Sequence, residues 1–270
     1  MPSFRHDGCD VHYQDAGKGA PVVLLHAGAS SSRQWRKVGA ELSGDHRQLA
    51  PDLIGFGDTR GWSAERELTH DDQANLVLGL LVETVDGAVD VVGHSYGGAT
   101  ALRLALAVPK RVRTLTLIEP IAMPLLSQAG EGALFTEYEA FARRFIDSAD
   151  AGKHEEAMEF FIDYRNGSGT WAAASEERRG WLLAVTAETA DAFRSNLNNP
   201  TTLADCRSIV APTLVVSGET TTEAERRVAE IIAEQVPSSR YEVVPEAGHM
   251  SALTHPAEVA RLIDSQLALQ

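Results

Sequence analysis

The stretch "GHSYGG" at residues 93–98 joins two segments of different character. The apolar run "VDVVG" at 89–93 predicts a buried strand, and "GGATALRLALAV" at 97–108 predicts a helix. A G-x-S-x-G motif between a strand and a helix is typical of a sharp turn that holds a nucleophilic serine above the end of a sheet. We therefore predict that Ser95 is a nucleophile. The alternative is a glycine-rich turn in which the serine has no role.

Strand-like and helix-like segments alternate on both sides of this turn. The turn sequence "DG" separates two short opening strands, and further strands are predicted at 21–25, 46–50, 89–93, 112–119, 212–218 and 240–245. Helices are predicted at 31–42, 69–85, 97–108, 223–235 and 256–269. Between about 120 and 200 the patterns are helical alone. This order predicts an α/β fold, with a doubly wound, mostly parallel, eight-stranded sheet and a helical insertion after the sixth strand.

A serine hydroxyl needs a neighbouring base before it can attack a substrate at neutral pH. His249 follows the last predicted strand, and parallel strands bring their carboxyl ends to one edge of the sheet, so His249 can meet Ser95 there. His26 and His94 each lie in a turn beside a strand, where a histidine bonded to the backbone is the better interpretation. Because H-E-x-x-H and C-x-x-C spacings are both missing from the sequence, neither a metal nor another cofactor is predicted.

Attack of a serine on a carbonyl group also requires two backbone N–H donors that bind the oxyanion. One donor is predicted to be Tyr96, the residue after the nucleophile. The other is predicted to be Gly28, in the loop "HAGAS" that follows an apolar strand. The alternative for Gly28 is a glycine that only the turn requires.

These motifs together resemble those of the α/β-hydrolase superfamily over nearly the whole chain. "LLHAG" at 24–28 resembles the oxyanion segment of the family, with Ala27 in place of the usual glycine. "PDLIGFGDT" at 51–59 resembles a structural stretch of the family. "GHSYGG" resembles its nucleophile turn, and "EAGHMS" at 246–251 resembles its histidine loop.

The same resemblance divides the chain into two domains and suggests where a substrate binds. Residues 1–119 and 201–270 would form the α/β core, and residues 120–200 would form the helical cap. Caps in this family cover the active site, so aromatic residues of the insertion should contribute to the pocket. We predict an apolar pocket lined by Phe135, Tyr138, Phe161, Trp171, Trp181 and Met250. The alternative for the aromatic residues is packing between the cap and the core.

The acid of the catalytic triad departs from the common pattern of the family. Many members place an aspartate after the strand before the last, but here that stretch reads "SGETTTEAER", with Thr221 at the position. The segment "EPIAMP" at 119–124 resembles one group of haloalkane dehalogenases, and zearalenone-type lactone hydrolases also place a glutamate there. The resemblance implies that Glu119 is the acid that orients His249. The alternative is a capping acid for the first insertion helix. Glu219 is then not catalytic, and Thr221 is expected to tolerate alanine.

The resemblance implies acyl chemistry, because the nucleophile is a serine rather than the aspartate of those dehalogenases. The leading hypothesis is a serine hydrolase of the carboxylesterase or lactonase type, which cleaves an ester or lactone of a mainly apolar small molecule through an acyl-enzyme. Two alternatives stay open. One is a cofactor-free dioxygenase of a heteroaromatic ring that uses the same serine, histidine and acid, and the other is a ligand receptor that keeps the triad without catalysis.

Composition limits the partners and the compartment. The formal net charge of -14 disfavours nucleic acids and anionic membranes, because both would repel the protein. The two cysteines, Cys9 and Cys206, suggest a reducing compartment, and the polar start "MPSFRHDGCD" lacks a signal-peptide core. Apolar runs stay well short of the roughly 18 residues of a membrane span. We expect a soluble, cytoplasmic protein that acts on a small-molecule ester or lactone, and we leave a homodimer open.

Overall fold

The computed structural model describes residues 1–62 and 66–269. Within those residues eight strands form one sheet: β1 (Ser3–His6), β2 (Cys9–Ala16), β3 (Ala20–Leu25), β4 (His46–Pro51), β5 (Val89–His94), β6 (Val112–Ile118), β7 (Thr213–Gly218) and β8 (Ser239–Val244). Their order across the sheet is β1-β2-β4-β3-β5-β6-β7-β8. The pairs β1·β2 and β2·β4 are antiparallel and the other pairs are parallel. The predicted doubly wound, mostly parallel, eight-stranded sheet is confirmed.

Helices follow the strands in the alternating order of an α/β fold. Those before β6 are α1 (Arg36–Glu41), α2 (His70–Thr84) and α3 (Tyr96–Ala107). Those between β6 and β7 are α4 (Pro124–Gln128), α5 (Gly132–Asp150), α6 (His154–Asn166), α7 (Thr170–Ala173), α8 (Glu176–Leu183), α9 (Thr186–Leu197) and α10 (Leu203–Ser208). Those after β7 are α11 (Glu223–Gln235), α12 (Ser251–Thr254) and α13 (Pro256–Leu267).

Local signals explain where two of the early helices begin. The helix predicted from residue 69 starts at a capping box, in which the Thr69 side chain accepts from the Asp72 N–H and the Asp72 carboxylate accepts from the Thr69 N–H. The helix predicted at 31–42 begins instead as a 3-10 turn at Ser32–Trp35 that leads into α1. The Ser32 N–H donates to Asp52 Oδ1 (2.7 Å), and this contact fixes the start of the turn.

The central strands are buried on both faces because helices cover both sides of the sheet. Alternate residues of β3 therefore belong to two different apolar clusters. Val23 and Leu25 pack in the cluster that contains α2, α3 and the insertion. Val22 and Leu24 pack in the cluster that contains α13. This alternation is why β3 is apolar along its whole length rather than at every second position.

The helices between β6 and β7 have an aromatic interior of their own. Phe193 of α9 lies at the centre, with its ring centroid 4.9 Å from that of Phe145 on α5, 5.5 Å from that of Phe161 on α6 and 5.6 Å from that of Phe141 on α5. Contacts at these separations and tilted angles are favourable for aromatic rings. Helices α5, α6 and α9 are therefore held together by their own aromatic contacts.

Two further observations concern membrane spans and the cysteines. Among the described residues, the helices are all too short or too polar to cross a membrane. Cys9 and Cys206 are both buried and free of any disulfide.

Candidate active site

The turn after β5 places Ser95 at the edge of the sheet. Ser95 alone separates β5 from α3, and it makes the change of direction with a φ of 55° and a ψ of -115°. Residues other than glycine rarely adopt a positive φ, and the hydrogen bond from the Ser95 N–H to the Ile118 carbonyl (2.8 Å) helps to hold it there. A Cβ atom on Gly93 or Gly97 would overlap backbone carbonyl groups. The turn therefore needs both glycines.

Ser95, His249 and Glu119 form a continuous chain of hydrogen bonds. The Ser95 hydroxyl lies 2.9 Å from His249 Nε2, and His249 Nδ1 lies 2.5 Å from Glu119 Oε2. In the neutral tautomer that satisfies both contacts, the hydroxyl donates to Nε2 and the Nδ1–H donates to the carboxylate. All three side chains are buried. The arrangement is that of a nucleophile, a base and an acid that orients the base.

Glu119 reaches the histidine from a strained backbone position. It directly follows β6 with a φ of 46°, while its N–H still donates to the carbonyl of Val216 on β7 (2.8 Å). The alternative role predicted for Glu119, a cap for the first insertion helix, is wrong. The N-cap residue of α4 is Met123, four residues further on, and a side-chain cap is not formed there. The carboxylate of Glu119 points into the site instead.

The surroundings of Glu119 keep its carboxylate ionised. Burial alone would raise the pKa of Glu119, but the charge and hydrogen bond of His249, together with the Gly218 N–H (2.6 Å) and the Thr221 hydroxyl (2.7 Å), outweigh burial and hold the pKa below its usual value. The expectation that Thr221 tolerates alanine disagrees with this contact, because alanine would remove a donor to the triad acid. Glu219 lies at the surface, where its Oε2 accepts from the backbone N–H of Glu246 (2.8 Å).

His249 is held in the neutral form that a general base requires. Burial is the largest cause of a pKa below the ordinary value for His249, and the guanidinium of Arg165 lowers it further. The charge and the hydrogen bond of Glu119 raise the pKa of His249 but do not outweigh these two effects. At neutral pH His249 can therefore accept the proton of Ser95.

His94 has a structural task beside the catalytic histidine. Its Nε2–H donates to the backbone carbonyl of His249 (2.8 Å), and its Nδ1 accepts from the side-chain amide of Gln34 (3.0 Å). Burial, followed by the nearby charge of His249, lowers the pKa of His94 to about 3, so the ring stays neutral. His94 therefore fixes the loop that carries the base. His26 bonds to backbone groups through both of its ring nitrogens.

Gly28 and Tyr96 lie side by side at the wall next to Ser95. A Cβ atom added to Gly28 would lie 3.7 Å from the Cβ atom of Tyr96. Tyr96 is the first residue of α3, so its N–H lacks a partner within the helix. The N–H of Ala27 is already bonded to Gln34 Oε1 (3.2 Å), which removes it as a donor. Gly28 and Tyr96 are thus in the place where an oxyanion would need two N–H groups.

A cavity of about 180 Å³ lies between Ser95 and the insertion. Of the predicted lining residues, Phe161, Trp181 and Met250 lie on its wall. The prediction was wrong for Phe135, Tyr138 and Trp171, which pack elsewhere in the apolar cluster. Helices α6, α8 and α9 provide the insertion's side of the cavity, whereas the aromatic stripe of α5 forms the interior of the insertion itself.

Two charged residues of the site were missed in the sequence. Arg165 of α6 lines the cavity, and its guanidinium forms a buried ion pair with Glu225 of α11. Arg165 lies four residues after Phe161 and therefore on the same face of the helix. A cation on an apolar helix face is the sequence signal by which Arg165 could have been predicted. Glu225 lies three residues after the N-cap Thr222, where an acid is ordinarily read as part of a capping box.

Glu119, Glu225 and His249 also have the residue types of a metal site. Within the described residues their ligand atoms lie within 4.8 Å of one another. Each already has a partner, because Glu119 is bonded to His249 and Glu225 faces the guanidinium of Arg165. The positive charge that a cation would bring is therefore already supplied by an arginine, and the group fits an acid–base network better.

Comparison with known proteins identifies the family of the chain. A sequence model of the alpha/beta hydrolase family matches residues 22–262. The chain therefore belongs to the alpha/beta hydrolase family.

Two relatives that align with nearly the whole chain are a hydrolase and an esterase. The 2-hydroxymuconate semialdehyde hydrolase of Pseudomonas sp. (strain CF600) is 26% identical, with 97% of this chain and 91% of the relative covered. The pimeloyl-[acyl-carrier protein] methyl ester esterase of Cronobacter sakazakii is 28% identical, with 97% of both chains covered. MGS-M2, an alpha/beta hydrolase enzyme from a Medee basin deep-sea metagenome library, has a crystal structure similar to this fold, with a TM-score of 0.84 at 20% identity over 100% of this chain and 98% of the other. The chain is thus similar to hydrolases with different named substrates.

Proposed function

We propose that the protein is a serine hydrolase of the carboxylesterase or lactonase type, which cleaves a small, mainly apolar ester or lactone through an acyl-enzyme. The observation that carries the proposal is the chain of hydrogen bonds from Glu119 through His249 to Ser95, with distances of 2.5 and 2.9 Å. A serine bonded to a neutral, oriented histidine can attack a carbonyl carbon. The similarity to a methyl ester esterase supports the choice of bond.

Each side chain has a defined step in this reaction. His249 takes the proton of Ser95 while Oγ attacks the carbonyl carbon, and Glu119 stabilises the imidazolium that forms. The N–H groups of Gly28 and Tyr96 bind the oxyanion, where loss of one donor typically costs about 10²–10³ in kcat. His249 then gives the proton to the leaving alkoxide, which stays tethered to the acyl group if the substrate is a lactone. Water activated by His249 finally releases the acid and restores Ser95.

The cavity favours a small substrate without a charge. Its volume of about 180 Å³ is only slightly larger than an engineered cavity of about 150 Å³ that holds benzene. Phe161, Trp181 and Phe193 give its wall an apolar surface. Arg165 and Arg178 also lie on the wall, but Glu225 balances the charge of Arg165, and Arg178 is exposed to screening by solvent. A neutral ester or lactone with about one ring and a short chain suits these properties.

A second candidate function is hydrolysis of a carbon–carbon bond beside a ketone. It is favoured by the relative from Pseudomonas sp., whose named substrate, 2-hydroxymuconate semialdehyde, is an acid without an ester group. Such a substrate is an anion, and it gains little electrostatic attraction because Glu225 balances Arg165 and solvent screens the exposed Arg178. We therefore place the ester or lactone first.

The test combines covalent trapping with turnover on matched substrates. A fluorophosphonate should label the protein at Ser95, Ser95→Ala should remain unlabelled, and neutral aryl esters or lactones should turn over faster than an unsaturated hydroxy-keto acid. Faster turnover of the keto acid would instead select the second candidate. Oxygen uptake with a hydroxyquinolone would overturn the proposal in favour of a dioxygenase, and ligand-dependent stabilisation without turnover would overturn it in favour of a receptor.

A further inference from the structure

A second buried carboxylate lies beside the catalytic histidine. Glu225 Oε2 on α11 is 3.5 Å from His249 Nδ1 and 3.1 Å from the hydroxyl of Thr221. The same hydroxyl lies 2.7 Å from Glu119 Oε2. A hydroxyl has one proton to donate, so Thr221 cannot fully satisfy both carboxylates at once. Two adjacent carboxylates in a buried site require a further positive charge if both are to stay ionised.

Arg165 supplies that positive charge from the insertion. Its guanidinium pairs with Glu225 Oε1, and its side chain is only 5% exposed while that of Glu225 is 1% exposed. The guanidinium carbon lies 5.6 Å from the ring centroid of Phe161, one helical turn earlier on α6. Arg165 is therefore held between an aromatic ring and a carboxylate of the core, and the ion pair crosses from the insertion to the core directly beside the triad.

The net charge around His249 is the same with both members of this ion pair as with neither, and it changes when only one member is present. Glu119, Glu225 and Arg165 sum to one negative charge, which an imidazolium on His249 would cancel. The other titratable group against the ring is His94, whose ring centroid lies 5.2 Å away and which stays neutral. Arg178 lies at the wall of the same cavity and is exposed. Without Arg165 the imidazole would face two carboxylates, and without Glu225 it would face an unbalanced guanidinium.

We propose that Arg165 and Glu225 are positioning residues that set the protonation of His249, so that the seating of the insertion on the core determines whether the base is neutral. This inference rests on the proposed serine mechanism. It also gives Arg165 a role other than that of an anchor for an anionic substrate, because Glu225 already occupies its charge. The burial of His249 and the charge of Arg165 both lower the pKa of His249, which is the direction that the inference needs.

The experiment measures how fast a fluorophosphonate labels Ser95 as a function of pH. The variants are Arg165→Met, Glu225→Gln, the double variant that combines them, and Arg165→Lys as the matched control that keeps the charge. Arg165→Met should move the acid limb of the labelling rate up by about one pH unit, because His249 then keeps its proton beside two carboxylates. Glu225→Gln should move the limb down by about the same amount, because the guanidinium is then unbalanced.

The double variant and Arg165→Lys should both keep the limb near its wild-type position. A merely structural role would change the labelling rate without moving the limb, or would move it in the same direction in both single variants, and either result would overturn the inference. The double variant leaves no unpaired member of the pair and should fold like the wild type. If Arg165→Met does not fold, Arg165→Gln replaces it, because glutamine removes the charge but can keep a hydrogen bond to Glu225. The acid limb should move up in the same way.

An NMR titration of the His249 ring in Ser95→Ala protein, with and without Arg165→Met, separates this inference from the proposed function. Wild-type protein that the probe fails to label would contradict the serine mechanism. The ring titration would still decide the inference, because it needs no nucleophile. The ring should titrate about one pH unit higher with Arg165→Met. An unchanged titration would overturn the inference.

Discussion

Glu119 is the residue on which the composition of the triad depends. It lies after β6, the strand next to the nucleophile strand β5, and its carboxylate meets His249 Nδ1 at 2.5 Å. Glutamate has one methylene more than the aspartate that is common in the family, and this extra length helps it to reach His249 from a neighbouring strand. Thr221, at the common position of the aspartate, supports this acid with a hydrogen bond.

The variant Glu119→Gln should lower kcat by up to about 10⁴-fold, the loss known for the equivalent change from aspartate to asparagine in a serine protease triad. An amide cannot stabilise the imidazolium and favours the wrong tautomer of His249. Stability should fall modestly, because an amide replaces the carboxylate that accepts hydrogen bonds from Gly218, Thr221 and His249. The measurement is kcat on an aryl ester together with a thermal melt. Glu219→Gln is the matched control and should leave kcat nearly unchanged. An inactive Glu219→Gln together with an active Glu119→Gln would instead place the triad acid after β7.

The protonation of His249 determines the acid side of the pH–rate profile. Because burial and Arg165 hold the pKa of His249 below its ordinary value, the neutral form should prevail at pH 7. The value of kcat/KM should therefore be level around neutrality and fall only as the pH drops below about 6.5, the unperturbed value for histidine. A profile of kcat/KM against pH checks this. An acid limb centred above that value would mean that Glu119 outweighs burial and Arg165.

A buried histidine joins helices of the core and the insertion. His70 of α2 donates from Nε2–H to Asn196 Oδ1 of α9 (3.0 Å), and its ring centroid lies 4.6 Å from that of Tyr96. Burial lowers the pKa of His70 to about 4, so the ring is neutral in the folded protein. The unfolded chain would protonate the same ring at a higher pH. Packing between α2 and α9 is therefore linked to pH through one side chain.

The free energy of unfolding should fall as the pH drops from about 6.5 to about 4, because over this window the unfolded chain binds a proton that folded His70 does not. The contribution of His70 is on the order of 3 kcal/mol, fully present above the window and lost below it. Urea midpoints across this range measure the effect. His70→Gln keeps a hydrogen bond toward Asn196 without titrating, so its midpoint should depend less on pH. Equal pH dependence in both proteins would contradict the assignment.

The fit between the insertion and the core limits the size of the substrate. Each methylene that a substrate buries should improve kcat/KM by at most about fourfold, which corresponds to about 0.8 kcal/mol. The gain should stop once the cavity of about 180 Å³ is filled, and long-chain esters should be poor substrates. A series of aryl esters from acetate upward measures this optimum. A steady decline from acetate would contradict the apolar wall formed by Phe161, Trp181 and Phe193.

The order of elements along the chain was readable because each buried strand left a short apolar run between turn residues. The place of Ser95 followed from one turn motif, and that of Glu119 from the resemblance of the segment "EPIAMP" to enzymes that have a glutamate there. The residues that line the pocket were harder to predict from the sequence. The spacing of Tyr138 and its aromatic neighbours indicates one face of α5, but spacing alone does not tell which neighbour that face meets. In the structure this face of α5 packs against Phe193 of α9, and Tyr138 does not line the cavity.

The ion pair of Arg165 and Glu225 shows a second limit of sequence reasoning. The two residues lie 60 positions apart, one in the insertion and one in the core, and local pattern does not connect them. Within its own helix, Glu225 has the spacing of an acid in a capping box, and this spacing is a sufficient local explanation for an acid at that position. Only the contact between Arg165 and Glu225 in the folded protein reveals that Glu225 lies beside the triad.

The central claim is that hydrolysis passes through an acyl group on Ser95. The most direct measurement is rapid acid quenching during turnover of an aryl ester, followed by intact mass and peptide mapping. The account predicts a mass increase equal to the acyl group, located on the peptide that contains Ser95 and missing from Ser95→Ala, together with a loss of several orders of magnitude in kcat. Near-wild-type hydrolysis by folded Ser95→Ala, without an acyl group on the protein, would contradict it.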